Sequence, residues 1–185
     1  MMTELSLNIL DVAQNSIKAG AKLIEISVEI DNAADSLTVR IDDDGCGMSG
    51  EQLAKVTDPF FTTRGTRSVG LGVSFFKQAA EMTGGGFEIT SESGKGTKVK
   101  ATFVLSSIDR LPLGDMCSTV ETLIVYNTGI DFVYRYRVDE TEFTLSTAQM
   151  RDILGGVSLD APDVVEYVRG FLKENTDECD KGKIY

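Results

Sequence analysis

Apolar residues recur at helical spacing at the start of the chain: Leu5, Ile9, Val12, Ala13 and Ile17 fall along one side of a helix expected over 5–19, which Ala19-Gly20-Ala21 stops. The period then drops to two. In KLIEISVEI (22–30) Ile24, Ile26, Val28 and Ile30 alternate imperfectly with Leu23, Glu25, Ser27 and Glu29, and in SLTVRID (36–42) Leu37, Val39 and Ile41 share a face. Two strands joined by a turn at DNAAD are expected. Regularity fails from Asp42 to Gly72, a stretch of glycines and polar residues whose length inside a compact domain points to function or disorder. A helix over 70–82, closed by Gly84-Gly85-Gly86, and two strands at 87–93 and 97–105, joined by Gly94-Lys95-Gly96, complete the first pattern. This order predicts an α+β fold, a two-layer sandwich with helices covering one face of a mostly antiparallel sheet.

The character changes after about Arg110, so residues 1–110 are read as one domain and 111–185 as a smaller α/β C-terminal extension, with Leu111-Pro112-Leu113 at the junction. Leu113, Met116, Val120, Leu123 and Ile124 suggest a helix, DFVYRYRVD and EFTLST a hairpin around Asp139-Glu140, and DAPDVVEYVRGFLKEN a closing helix capped by Asp160. The polar ending NTDECDKGKIY is expected to fray. The hairpin, with Tyr134 and Tyr136, either forms a partner-recognition surface or extends the sheet and covers an apolar face.

Composition narrows the chemistry. None of the 185 residues is histidine, which removes an imidazole base, metal ligand or phosphate carrier from this chain. The formal charge of -11 argues against nucleic acid or an anionic membrane as the main partner. Residues 111–185 carry -7 of it. Three widely spaced cysteines form no C-x-x-C pair, and Cys46 is read as a small filler rather than a reactive thiol. The acidic start has no signal-peptide pattern, and no run of about 18 apolar residues exists for a membrane span, so a cytoplasmic protein is expected.

Four elements carry candidate chemistry. Asp11 and Asn15 lie one turn apart on the first helix, with Asn8 a further turn back. An Asn oxygen suits Mg²⁺, and an Asp can orient or deprotonate a water, although a solvent-facing polar stripe is the plainer reading of such a helix. Asp42-Asp43-Asp44-Gly45-Cys46-Gly47-Met48 follows a strand directly. The late glutamate of an EF-hand is missing from this loop. Asp43 can instead accept the amino hydrogen of adenine while Gly45 and Gly47 let backbone approach the base, or the segment is simply a tight turn. Asp58-Pro59-Phe60-Phe61-Thr62-Thr63-Arg64 leads to Gly70-Leu71-Gly72 at a helix start, an anion site that Arg64 and Arg67 flank. Phe60 and Phe61 would serve as a lid anchor or as core. Gly94-Lys95-Gly96-Thr97 is a hairpin turn whose Thr97 hydroxyl could also reach the adenine-reading carboxylate or its water.

Taken in this order the four elements resemble the boxes of the GHKL ATPases, the group that includes histidine kinase catalytic domains, gyrase B, MutL and the anti-sigma-factor kinases. D-V-A-Q-N-S-I-K-A-G-A resembles the asparagine box, D-D-G-C-G-M the first glycine box, D-P-F-F-T-T-R the phenylalanine box, and V-G-L-G with G-K-G-T the later glycine boxes. The resemblance covers about residues 5–105. It implies the Bergerat fold with Mg-ATP as ligand: Asn15 as magnesium ligand, Asp43 as adenine reader, Gly45, Gly47 and Met48 beside it, Thr63, Arg67, Gly70, Leu71 and Gly72 around the phosphates, and Thr97 as a second adenine contact. Asp11 and Arg64 take the catalytic positions. Asp11 stands where MutL and gyrase B carry a glutamate base and histidine kinases usually an asparagine. Two activities follow from the resemblance. One is transfer of the γ-phosphate to a separate protein, on histidine or serine, in bacterial signalling; the other is an ATP-gated interaction module with slow hydrolysis. A nucleotide-binding subunit without turnover is the third reading, and the oligomeric state stays open.

Overall fold

The computed structural model describes residues 3–56 and 72–185. In chain order the elements are α1 (Leu5–Lys18), β1 (Leu23–Asp31), β2 (Ser36–Asp43), α2 (Gly50–Val56), α3 (Gly72–Met82), β3 (Gly86–Glu92), β4 (Gly96–Val104), α4 (Met116–Tyr126), β5 (Asp131–Val138), β6 (Thr141–Ser146), α5 (Thr147–Leu154) and α6 (Pro162–Asp180). The six strands form one sheet in the order β3-β4-β2-β1-β5-β6. Every neighbouring pair is antiparallel except β1 and β5, whose parallel pairing requires a crossover that α4 enters.

The alternation seen in sequence becomes one buried face. Val99, Ile41, Ile26, Tyr134 and Leu145 line up across five strands, as do Ala101, Val39, Val28, Tyr136 and Phe143 one step along. Helices α1, α3, α4 and α6 close over these rows through Leu5, Ile9, Val12, Phe76, Ala80, Leu123, Ile124, Val168 and Leu172, all buried. Side chains between the inward ones face the other way and pair with one another: Glu29 with Arg40 and Arg137, Asp42 with Lys98, Glu88 with Lys100. That face is a polar surface, and such exposed pairs contribute little to stability.

Residues 111–185 therefore supply β5 and β6 to the same sheet. Tyr134 and Tyr136 are each 1% exposed, so the hairpin extends the sheet and does not present these rings to a partner. The ending is ordered where fraying was expected. Helix α6 runs to Asp180, whose carboxylate accepts from the Tyr136 hydroxyl at 2.7 Å. Burial pushes the pKa of both groups up. Tyr185 accepts from the Leu113 amide at its carbonyl and from Asn32 Nδ2 at its hydroxyl. These tertiary contacts hold a segment whose composition alone is that of a solvated tail. Asp160 does not cap α6 either; Ala161 occupies the N-cap without a side-chain bond, and Pro162 fills the first turn, where its missing N–H costs nothing.

Two helices went unforeseen. Ser49 and Gln52 exchange bonds as a capping box at the start of α2. Ser146 both ends β6 and caps α5, leaving no gap between strand and helix to mark a boundary. Helix α1 has no side-chain cap, and the Leu5 and Ser6 amides donate instead to the carbonyls of Pro112 and Leu113. No helix among the described residues is long and apolar enough to cross a membrane.

Candidate functional site

Strand β2 ends at Asp43 while still paired in register with Thr97 of β4, so the sheet itself sets these two residues side by side. The Asp43 carboxylate is held from two directions. Its Oδ1 accepts from the Gly45 amide at 2.9 Å, and its Oδ2 accepts from the buried Ser16 hydroxyl of α1 at 2.6 Å. Ser16 directly follows Asn15, and the bond ties the polar flank of α1 to the strand end.

The three consecutive aspartates have separate tasks that their spacing conceals. Asp42 pairs with Lys98 on the open face of the sheet. The amides of Leu23 and Lys22 donate to Asp44 Oδ1, and these bonds hold its carboxyl below the usual carboxylate range. Asp43 alone turns toward α1.

The glycines lie where a side chain would have no room, Gly47 and Gly96 directly against backbone. A Cβ on Gly45 would lie 2.9 Å from Ala19 Cβ. One on Gly47, at φ +62, would lie 2.0 Å from the Glu92 carbonyl oxygen, and one on Gly96, at φ +97, 1.9 Å from that of Asp43. Cys46 donates its amide to Ala19 and accepts from the Gly94 amide at 2.7 Å. Its side chain is exposed, so it fills nothing and the filler reading is wrong; its backbone clamps the loop. We expect Gly47→Ala to cost about 2 kcal/mol or more, from left-handed backbone strain and the carbonyl clash. Gly50→Ala, where nothing lies within 4 Å, should instead be neutral or gain about 0.5 kcal/mol. Urea unfolding of the two variants checks this, and equal midpoints would show that the close approach is not real.

Ser91, on β3, organises the second loop. Its single hydroxyl hydrogen goes to the Gly96 carbonyl, while it accepts from the Met48 amide. Its 2.9 Å contact with the Thr97 hydroxyl then takes the hydrogen of Thr97. Thr97 is left with lone pairs to offer.

On α1, Asp11 and Asn15 are half-buried and Asn8 is buried. Asp11 lies directly on the backbone of Gly72 at the start of α3: a Cβ there would fall 1.8 Å from Asp11 Oδ2. Asn15 Nδ2 and Asn8 Oδ1 are buried without a partner among the described residues. The structure thus gathers Asp11, Asn15, Asp43, Gly45, Gly47, Met48, Gly72 and Thr97 from four chain segments. Phe60, Phe61, Thr63, Arg64, Arg67, Gly70 and Leu71 lie outside the described residues. The roles of Ser16, Ser91 and Asp44 escaped the sequence reading, although Ser16 and Asp44 lie within its quoted motifs. A depression of 390 Å³ lined by Glu29, Asn32, Arg137 and Asp139 lies at the opposite end of β1 and shares none of these residues.

An α+β sheet of this topology with these boxes defines an ATPase class. The chain belongs to the family described as histidine kinase-, DNA gyrase B-, and HSP90-like ATPase, whose model matches residues 3–107. It is 33% identical over 104 residues to a putative sensor protein of Shewanella frigidimarina, covering 56% of this chain and 16% of that protein. It is also 33% identical over 109 residues to the sensor protein SrrB of Staphylococcus aureus, covering 56% of this chain and 18% of that one. The chain spans less than a fifth of these relatives. Among solved structures it is similar to the N-terminal domain of a DNA repair protein, with TM-score 0.54, 17% identity, and 78% of this chain and 53% of that one covered. It is likewise similar to the Aquifex aeolicus MutL ATPase domain complexed with ADP, with TM-score 0.50, 14% identity, and 84% and 70% covered. A likeness over 84% of the chain cannot stop at residue 110, so the shared fold takes in part of 111–185.

Proposed function

We propose that this chain binds Mg-ATP and transfers the γ-phosphate to a side chain of a separate protein, as a histidine kinase-like domain in bacterial cytoplasmic signalling. The observation that carries the reading is the Asp43 carboxylate, fixed by Ser16 and Gly45 beside Thr97, with unspent polar groups of α1 alongside. Asp43 accepts the adenine amino hydrogen, and Thr97 has lone pairs for a bridging water. Asn15 fits a magnesium site by its chemistry: its side-chain oxygen is a hard neutral ligand on the flank of α1 that carries Asp11, while its buried Nδ2, unpartnered among the described residues, is a donor and holds no cation. Bound there, Mg²⁺ would offset the charge of the phosphates. The start of α3 at Gly72 offers backbone N–H groups to them, with Gly70, Leu71, Thr63, Arg64 and Arg67 assigned to the same end by sequence. These 185 residues hold no histidine, so an acceptor of the usual kind lies outside them.

Asn15→Ala is expected to abolish the magnesium-dependent part of ATP binding in calorimetry while leaving the fold intact; equal Mg²⁺ dependence in both proteins would remove Asn15 from the role. Labelled ATP incubated with candidate partners tests the transfer, and no labelled protein under conditions where ATP binds would sink it. One observation favours hydrolysis in an ATP-gated module as a second reading. Asp11 lies at the start of α3 with no hydrogen bond to a described residue, where a carboxylate can take a proton from water. Turnover of Asp11→Asn against the unaltered protein separates the two, because transfer to a partner does not need that proton removed from water.

A further inference from the structure

Asn8 stands one turn before Asp11 and two before Asn15, on the same flank of α1. It is 1% exposed, the most deeply buried of the three. Its Nδ2 donates at 3.3 Å to the Glu4 carbonyl one turn back. Its Oδ1 is buried and accepts from no described residue. A buried apolar side chain at this position would leave no polar atom unmet, so burial by itself gives no reason for an amide there. Buried oxygens of this kind are met by internal water, which typically makes about three hydrogen bonds. One turn on along the same flank stands the Asp11 carboxylate, packed on Gly72 at the start of α3 and able to share such a water.

We infer that Asn8 is a positioning residue: its Oδ1 accepts from a water held between α1 and the start of α3, and that water gives its second hydrogen to the Asp11 carboxylate, fixing where it points. Asn8 itself touches neither nucleotide nor metal. The effect on turnover rests on the second reading above, in which Asp11 takes the proton from water; the water geometry does not.

The full chain carrying Asn8→Leu, and separately Asn8→Ser, tests this. Asn8→Leu should lower kcat for ATP about tenfold, the scale of one misplaced hydrogen-bonded group, with KM and calorimetric ADP affinity changed by less than about twofold. Asn8→Ser, which keeps an acceptor, should recover much of kcat. A high-resolution crystal structure should show water on Asn8 Oδ1 within hydrogen-bond reach of Asp11, absent in Asn8→Leu. A crystal structure in which a protein group satisfies Oδ1, or in which no water joins it to Asp11, overturns the inference, as does unchanged kcat in Asn8→Leu when Asp11→Asn lowers it. Failure of the unaltered chain to bind ATP would instead overturn the proposed function, and the crystallographic comparison would still decide the place of Asn8.

Discussion

A chain ended at Arg110 is expected to lose its cooperative fold rather than to release a smaller ATP-binding domain, although the family match itself stops at residue 107. Strand β1 is paired along Ile24–Ile30 with β2 on one side and β5 on the other. Removing β5 turns it into a bare edge and uncovers the flanks of Ile24, Ile26, Val28 and Ile30. The first amides of α1 lose the carbonyls of Pro112 and Leu113, and the Lys22 carbonyl loses the Asp131 amide. If about half of each of these four side chains becomes exposed, at about 1 kcal/mol apiece, the loss is about 4 kcal/mol before the broken hydrogen bonds are counted. That approaches the whole stability of an ordinary domain, about 5–15 kcal/mol. Urea unfolding and amide NMR of residues 1–110 check the expectation. A sharp two-state transition with well-dispersed amides and undiminished ATP binding would show that the shorter piece stands alone.

Asp43→Asn is expected to weaken ATP by about 10–100-fold, the range of one charge-assisted hydrogen bond of about 1.5–3 kcal/mol. The fold should survive. An asparagine can turn its oxygen to the Gly45 amide and its nitrogen to the Ser16 hydroxyl, keeping both anchors. The base preference should change in a particular sense. Guanine presents an oxygen where adenine presents an amino group, so the carboxylate repels it, whereas an amide nitrogen can donate to it. GTP should therefore gain relative to ATP in the variant. Calorimetry with both nucleotides on both proteins decides this, and equal affinity of the unaltered chain for ATP and GTP would remove Asp43 as adenine reader.

The residues on which these expectations rest were visible as types in the sequence, but their connections were not. Asp11 and Asn15 announced themselves by helical spacing, and Asp43 by its place between a strand and two glycines. Ser16 did not, because its partner lies 27 residues away. Gly45 and Gly47 were read as making room for a base, and the structure adds a nearer cause, since Ala19 and Glu92 occupy the space a Cβ would need. Helix α2 was readable in principle from Ser49 and Gln52, but a seven-residue helix inside a glycine-rich stretch offers too few turns for a period to show.

Local rules were enough for what depends on neighbours along the chain: the alternation that makes β1 and β2, the apolar face of α1, the turn at Asp139, and the chemical types gathered in each box. Contacts between distant segments settled the rest, because their free energy comes from surfaces that meet only once the chain has closed. The parallel pairing of β1 with β5, the carbonyls of Pro112 and Leu113 on α1, the ordering of Tyr185, and the assignment of Asp42, Asp43 and Asp44 to a surface pair, the candidate ligand and a strand anchor are of this kind. Three adjacent aspartates are alike in sequence; the pleat turns Asp42 and Asp43 to opposite faces, and the groups packed against each give it its role.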